Sequence, residues 1–161
     1  MPAITALLHT HNDGLRLGRC LETLYPCDEI LIVDHGSIDQ TVRIAREYGA
    51  AILRATDGAP PNAYAKKANA EWILCLDVHE SLTERLAASL FEWKSLGTAD
   101  SAQPRPFSVF LREETPNGWV ENPEAQTRLI PRNWPHWKGN WPSAQVPAVA
   151  LDGEILRFSF P

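Results

Sequence analysis

Apolar residues in this chain come first as short unbroken runs and then along one side of longer mixed stretches. AITALLH (3–9), EILIVD (29–34), AAILRA (50–55) and EWILCLD (71–77) are apolar without strict alternation, which predicts strands buried on both faces. Between the first two, DGLRLGRCLETL (13–24) sets Leu15, Leu17, Leu21 and Leu24 along one helical face, with Asn12 or Asp13 as N-cap. SIDQTVRIAREYG (37–49) has Ser37 and Gln40 at capping-box spacing, an apolar side of Ile38, Val42, Ile44, Ala45 and Tyr48, and Gly49 as a stop. A DGAPP loop precedes a short helix predicted over 62–70. SLTERLAASLFEWKSLG (81–97) predicts a longer helix, with a Ser81/Glu84 capping box and Leu82, Leu86, Leu90 and Trp93 on one side.

Strands that alternate with helices predict an α/β fold with a mostly parallel sheet. In such sheets ligands bind outside the carboxyl ends of the strands. After residue 100 the pattern changes. Nine of the thirteen prolines lie there, and four of the six tryptophans fall between Trp119 and Trp141. FSVFLREE (107–114), QTRLIPR (126–132) and GEILRFSF (153–160) read as strands, with WPHWKGNWP (134–142) an aromatic loop, so a short C-terminal antiparallel extension of the sheet is expected.

Composition narrows the functional classes. A net charge of −5 disfavours a nucleic-acid or anionic-membrane role driven by bulk charge. No apolar run is long enough for a membrane span, and the opening MPAITALLHTHNDG has no basic n-region, so neither a transmembrane segment nor a signal peptide is expected. Cys20, Cys27 and Cys75 have no C-x-x-C spacing and read as small buried hydrophobes in a reducing, cytoplasmic setting.

The candidate chemistry sits where the strands end. The first gives His9-Thr10-His11-Asn12-Asp13, the second Asp34-His35-Gly36-Ser37-Ile38-Asp39, and the fourth Asp77-Val78-His79-Glu80. A parallel sheet puts all three turns on one rim, beside helix N-termini whose free amides favour anions. Asn12, Asp13, Ser37 and Ser81 can also be plain helix caps, and His9 and His35 ordinary surface histidines. Asp34 and Asp77 each end a buried strand, where an unpaired carboxylate is costly, so each is expected to have a partner: a backbone amide, a ligand or a metal. No G-x-G-x-x-G follows the first strand, there is no P-loop, and the histidine spacing matches no strong zinc signature.

In order and at compatible spacing, ITALLHTHNDGLRLGRCLETL, DEILIVDHGSIDQTVRIAREYGA and EWILCLDVHE resemble the family 2 glycosyltransferases of the GT-A fold. They are similar in particular to the bacterial subset related to lipopolysaccharide-core glucosyltransferases. That subset reads T-x-N-E, V-D-S-G-S-x-D and L-D-A-D-E after the corresponding strands. The resemblance implies a GT-A-like domain over 1–161, with a nucleotide-binding half (1–97) and a truncated acceptor-side extension (98–161). It implies transfer of a sugar from a nucleotide-diphosphate donor, a UDP-sugar first, to the hydroxyl of a carbohydrate or lipid-linked acceptor in cell-envelope polysaccharide synthesis, in the cytoplasm or at the inner face of the membrane. Thr10, His11, Asn12, Asp13, Asp34, Gly36 and Asp39 match the nucleotide-binding turns, and Asp39 matches a base contact. Asp77 and His79 match the D-x-D element that holds Mn²⁺ or Mg²⁺ on the donor diphosphate.

Several positions depart from the family pattern. His79 replaces the second carboxylate of D-x-D, removing one negative charge. Pro61 stands before Asn62 where the family often has Arg, leaving Lys66 or Lys67 as substitutes. The late His-Glu pair would fall near Pro142-Ser143-Ala144, so the acceptor base is open among Glu113, Glu114 and Glu121. The chain is short for the family, which predicts a reduced acceptor site. Two readings therefore stand: a metal-dependent glycosyltransferase, or a catalytically inactive GT-A-like domain that binds a nucleotide, a sugar or a protein partner and offers Trp134, Trp137 and Trp141 for stacking.

Overall fold

A computed structural model describes residues 2–96 and 104–161. The first apolar runs form β1 (Ile4–Thr10), β2 (Glu29–Asp34), β3 (Ala51–Arg54) and β4 (Trp72–Cys75), joined through α1 (Gly14–Leu21), α2 (Thr41–Glu47) and α3 (Pro61–Ala65). They lie side by side in the order β3-β2-β1-β4, all parallel. The absence of alternation has the expected cause. Ile4, Ala6 and Leu8 of β1 face one core with Leu17, Cys20 and Leu21 of α1, whereas Leu7 faces a second core with Tyr64 and Ala65 of α3. Both faces of the strand are therefore dry.

The rest of the chain extends this sheet. It contains β5 (Glu80–Leu82), α4 (Glu84–Ser95), β6 (Phe107–Thr115), β7 (Gly118–Glu121), β8 (Gln126–Pro131), β9 (Trp137–Lys138), β10 (Trp141–Pro142) and β11 (Val149–Arg157). β8 runs antiparallel to β4, β6 antiparallel to β8, β11 parallel to β6, and β5 antiparallel to β11. The α/β fold with its C-terminal extension is thus the one the pattern predicts. β7 pairs with β6 as a hairpin, and β9 with β10 as a separate two-stranded unit, so the aromatic 134–142 segment carries a hairpin where a loop is expected.

Three local expectations are corrected. Ser37 does not cap α2, which starts at Thr41; its amide and hydroxyl both donate to Asp34. Ile38 consequently lies outside the helix and is 92% exposed. Ser81 does not cap α4 either. It pairs with Leu156 in the β5–β11 ladder, and Thr83 caps instead, its Oγ1 accepting from the Leu86 amide at 3.2 Å. Leu15 leaves the apolar face expected for α1 and is 87% exposed, while Leu17, Leu21 and Leu24 are buried.

Two devices hold α4 and the extension in place. Lys94 is buried and donates to Asp28 at 3.0 and 2.9 Å and to the Pro26 carbonyl at 3.1 Å, tying α4 to the entry of β2. Gly153, at φ +100°, lets the bulged β11 pass over the start of α4, where a Cβ would lie 2.3 Å from the Leu86 nitrogen.

Glu80 and Arg128 are the deepest charged pair, at 0% and 2% exposure, joined by two parallel bonds of 2.6 and 2.8 Å. Removing one partner strands the other charge in the core, which costs about 3–5 kcal/mol. Arg128→Met is therefore expected to lower unfolding stability by about that amount, and Glu80→Met combined with Arg128→Met by clearly less. Urea denaturation checks this; a single-variant loss under about 1 kcal/mol would contradict a dry, paired carboxylate.

Candidate functional site

The carboxyl ends of β1, β2 and β4 share one rim because the three strands are parallel. The turns after β1 and β2 are sewn together there. Thr10 donates its hydroxyl to Asp34 at 2.7 Å. Asn12 sits in left-handed backbone (φ 52°), donates its amide to the Ser37 hydroxyl at 2.9 Å and accepts the Ile38 amide at 2.8 Å. The Asp13 amide donates to Thr41 Oγ1 at 2.8 Å, while the Asp13 carboxylate accepts from the His11 amide and from Arg16. Asp13 therefore starts α1 without capping it through its own side chain.

That task falls to Asp39. One carboxylate oxygen accepts the Gly14 amide at 3.0 Å, the first of α1; the other accepts the Thr41 amide at 2.9 Å, the first of α2, together with the Thr41 hydroxyl. One exposed side chain thus covers the leading amides of two helices. The first of the free amides at each helix start is already engaged by a protein carboxylate. These bonds, led by those from Thr41, hold the Asp39 carboxyl below its usual range. Burial pushes Asp34 upward, but the bonds from Ser37 and Thr10 outweigh it and leave Asp34 lowered.

The turn after β4 forms the second half of the site. Asp77 Oδ1 accepts the His79 amide at 2.9 Å and lies 2.6 Å from His79 Nδ1. Its Oδ2 lies 3.9 Å from an Arg157 guanidinium nitrogen. The Asp77 amide donates to Glu80 Oε1 at 2.9 Å. Burial raises the Asp77 carboxyl; the His79 bonds and then the Arg157 charge prevail and lower it. Beside Asp77 opens a cavity of about 100 Å³, lined by Leu7, His9, Cys75, Leu76, Asp77, Asn140 and Trp141. His9 closes its floor. His9 Nδ1 lies 2.9 Å from His35 Nε2, and His11 Nδ1 donates to the His35 carbonyl at 2.8 Å. Burial first, and the neighbouring His35 second, push the His9 imidazole down to about 4, with Asp77 opposing.

The sequence-derived residues thus fall into two groups. Thr10, Asn12, Asp13, Asp34 and Asp39 form one network, with His11 and Gly36 exposed at its edge; Asp77 and His79 form the other, across His9. Lys66 and Lys67 are exposed at the end of α3 and do not line the cavity. Glu114 accepts the Ser159 and Phe160 amides, Glu121 pairs with Arg112, and Glu113 stands opposite Arg157 in the β6–β11 register. Trp134, Trp137 and Trp141 all pack on the second core; the indole N–H groups of the first two are bonded to the Ser143 and Trp134 carbonyls, and Trp141 is the one that lines this cavity. Thr41, Asn140 and Arg157 went unnoticed in the sequence. Thr41 sits mid-pattern in a helix start, Asn140 in an aromatic segment, and nothing marks Arg157.

Asp77 and His79 are brought together, but they do not fit a divalent cation. Among the described residues no group of three or more His, Cys, Asp or Glu side chains could hold a metal. Mg²⁺ and Mn²⁺ prefer several oxygen donors, whereas here one carboxylate spends an oxygen on the imidazole meant to be its co-ligand. Its other oxygen faces Arg157. Like unit charges about 4 Å apart repel by about 1 kcal/mol in water and about 4 kcal/mol at an effective dielectric of 20, and a dication doubles this. Glu80 is committed to Arg128.

The family model for Glycosyl transferase family 2 matches residues 5–142. A TPR repeat-containing protein of Synechococcus elongatus is 33% identical over 142 residues, 84% of this chain and 33% of its own length. A 4,4'-diaponeurosporenoate glycosyltransferase of Staphylococcus aureus is 31% identical over 68 residues, 40% of this chain and 18% of its own. Among solved structures, mannosyl-3-phosphoglycerate synthase from Rubrobacter xylanophilus superposes with a TM-score of 0.51 at 17% identity, over 71% of this chain and 41% of that one. Glucosyl-3-phosphoglycerate synthase from Mycobacterium tuberculosis, in complex with Mn²⁺, UDP and glucosyl-3-phosphoglycerate, gives 0.50 at 15% identity, over 69% of this chain and 44% of that one. At such identities the two structures show a common fold, the GT-A arrangement. The chain spans about a third of the cyanobacterial relative and less than half of either synthase.

A half-buried imidazole with a lowered pKa makes stability depend on pH. The His9 pKa is 6.5 when unfolded and about 4 when folded, so between these values the unfolded chain binds more protons. The His9 contribution is complete above pH 6.5 and declines as pH falls towards about 4. His9→Asn is expected to flatten the stability profile in that window, as measured by urea denaturation at stepped pH; an unchanged slope would place the effect elsewhere.

Proposed function

The chain belongs to glycosyl transferase family 2, and from that premise we propose that it binds a nucleotide-diphosphate sugar, a UDP-sugar first, at the β1, β2 and β4 rim and passes the sugar to an acceptor hydroxyl. The observation that carries this reading is the cavity between His9, Asp77 and Trp141, set directly beside the sewn turns of β1 and β2. At about 100 Å³ it suits a phosphate-sized or part-sugar group and not a whole donor, since drug-sized ligands fill roughly 300–1,000 Å³. The nucleoside then lies over the open turns, where Asp39, His11 and Asn12 are exposed and Asp39 keeps lone pairs free for a base N–H.

In the transfer the acceptor oxygen bonds to the anomeric carbon, and the bond to the donor phosphate oxygen breaks with its electron pair leaving on the nucleoside diphosphate. The acceptor proton goes to an enzyme carboxylate. We assign this base to Glu113, since Glu114 and Glu121 are held by the chain terminus and by Arg112. Asp34 and Thr10 keep the nucleotide turns in register, and Trp141 offers a face to the sugar ring. Mn²⁺ or Mg²⁺, which the resemblance implies, has no step here because the donor set does not fit it. The reading treats 1–161 as one domain, with a carbohydrate or lipid-linked acceptor in cell-envelope polysaccharide synthesis as its setting. No helix among the described residues is long and apolar enough to cross a membrane.

The second reading, a non-catalytic nucleotide- or sugar-binding domain, is favoured by one observation. Pro142 of β10 and Ser143 stand where the family places its late His-Glu pair, and Pro142 is buried.

Turnover separates the two. UDP-sugar consumption is expected to vanish in Asp77→Ala and in Glu113→Gln, and to survive in Glu22→Ala, whose carboxylate bonds Tyr48 on the exposed side of α1. UDP binding by all forms with no sugar release by any would establish the non-catalytic reading.

A further inference from the structure

A diphosphate at this rim needs positive charge, and the usual sources are taken. The first amide of α1 and the first of α2 are taken by the Asp39 carboxylate, whose negative charge also opposes an anion there. Arg128 is 2% exposed and spends its guanidinium on Glu80, Gln126 and the Cys75 carbonyl. Arg157 differs. It is 36% exposed at the side chain, stands 3.9 Å from Asp77 Oδ2, and reaches Glu80 only at 3.4 Å, where Arg128 already satisfies both oxygens. Arg157 is thus the cation beside Asp77 with donors to spare.

Charge counting makes the same point. A two-carboxylate site with a dication sums to zero. The Asp77 carboxylate and the Arg157 guanidinium also sum to zero, with no metal present, and His79 brings no negative charge. Restoring a carboxylate at 79 would upset this balance, and so would adding a dication.

Resting on the nucleotide-sugar reading above, we propose that Arg157 occupies the electrostatic place of the divalent cation, so that this chain grips the donor diphosphate without metal. The guanidinium fork matches two phosphate oxygens at once, and its N–H groups face the oxygen on which negative charge collects as the sugar–phosphate bond breaks. Asp77 and Glu80 hold the guanidinium from one end, both through Nη1, at 3.9 and 3.4 Å.

The test is isothermal titration of the full chain with UDP and with UMP, in EDTA and again in Mn²⁺. UDP affinity is expected to agree within about twofold between the two buffers, and Arg157→Gln to weaken UDP by about tenfold or more in EDTA while changing UMP by less than about threefold. Arg157→Lys keeps the charge but loses the fork and is expected to fall between. UMP binding reports that each variant is folded. Binding of UDP that requires Mn²⁺, or equal losses for UDP and UMP in Arg157→Gln, overturns the proposal and leaves the nucleotide-sugar reading standing. No UDP binding in either buffer overturns both.

Discussion

The ion pair between Glu80 and Arg128 is the constraint on which the site depends. Both side chains are out of water, so each charge is tolerable only with its partner. Their bonds reach well beyond each other. Glu80 also accepts the Asp77 amide, which shapes the turn after β4, and Arg128 also donates to the Cys75 carbonyl at the last residue of that strand. The Arg128 guanidinium lies 4.0 Å from the ring centre of Trp141, which positions one wall of the cavity. One buried pair thus joins β4, β5, β8 and β10 where the chemistry sits. An apolar pair of equal volume could match it in stability, but it could not donate to Cys75, accept from Asp77 and hold an aromatic face at once. Here the pair specifies position more than it adds stability.

The turns after β1 and β2 are organised on a different principle. Asp34, Asp39, Asn12, Ser37 and Thr41 satisfy one another across two turns, so the turns are held without a ligand. Ligand binding then has little loop ordering to offset, which is the usual advantage of a preformed site. The same satisfaction has an electrostatic consequence. A carboxylate over two helix N-termini cancels the field that would otherwise draw a phosphate there. On the proposed reading, phosphate recognition is displaced towards the β4 turn, where the positive charge comes from the Arg157 side chain.

Much of the fold could be read from local pattern. The β1 to β4 alternation, the buried strands and the shared rim follow from apolar runs that end in polar turns. The caps misled because a capping-box spacing does not say which bond wins: Ser37 turned back to Asp34, three residues away, and Ser81 joined a ladder whose partner is more than seventy residues away. The carboxylates at the strand ends have partners, as their burial demanded: Ser37 and His79 lie close by in sequence, whereas Thr10 and Arg157 are known only once distant segments meet. Glu80 looked like part of a polar strand end and is a core residue. Trp134, Trp137 and Trp141 looked equivalent and all pack on the second core, but Trp141, under the Arg128 guanidinium, is the one that lines the cavity beside Asp77.

The substitution at position 79 changes meaning once Arg157 is in view. Taken alone, an imidazole in place of a carboxylate is a lost ligand and a weakened metal site. Beside a guanidinium 3.9 Å from Asp77, it is the change that keeps local charge balanced, because a second carboxylate there would leave the pair net negative against a doubly charged donor. The two features are therefore coupled through Asp77, although they lie far apart in sequence. Arg157 also falls beyond the residues matched to the family, 5–142, so a motif comparison confined to that span sees only the loss. On the proposed reading of the donor site, β11 contributes to it: the strand delivers a cation to the turn after β4, and its register against β5 sets how close that cation comes.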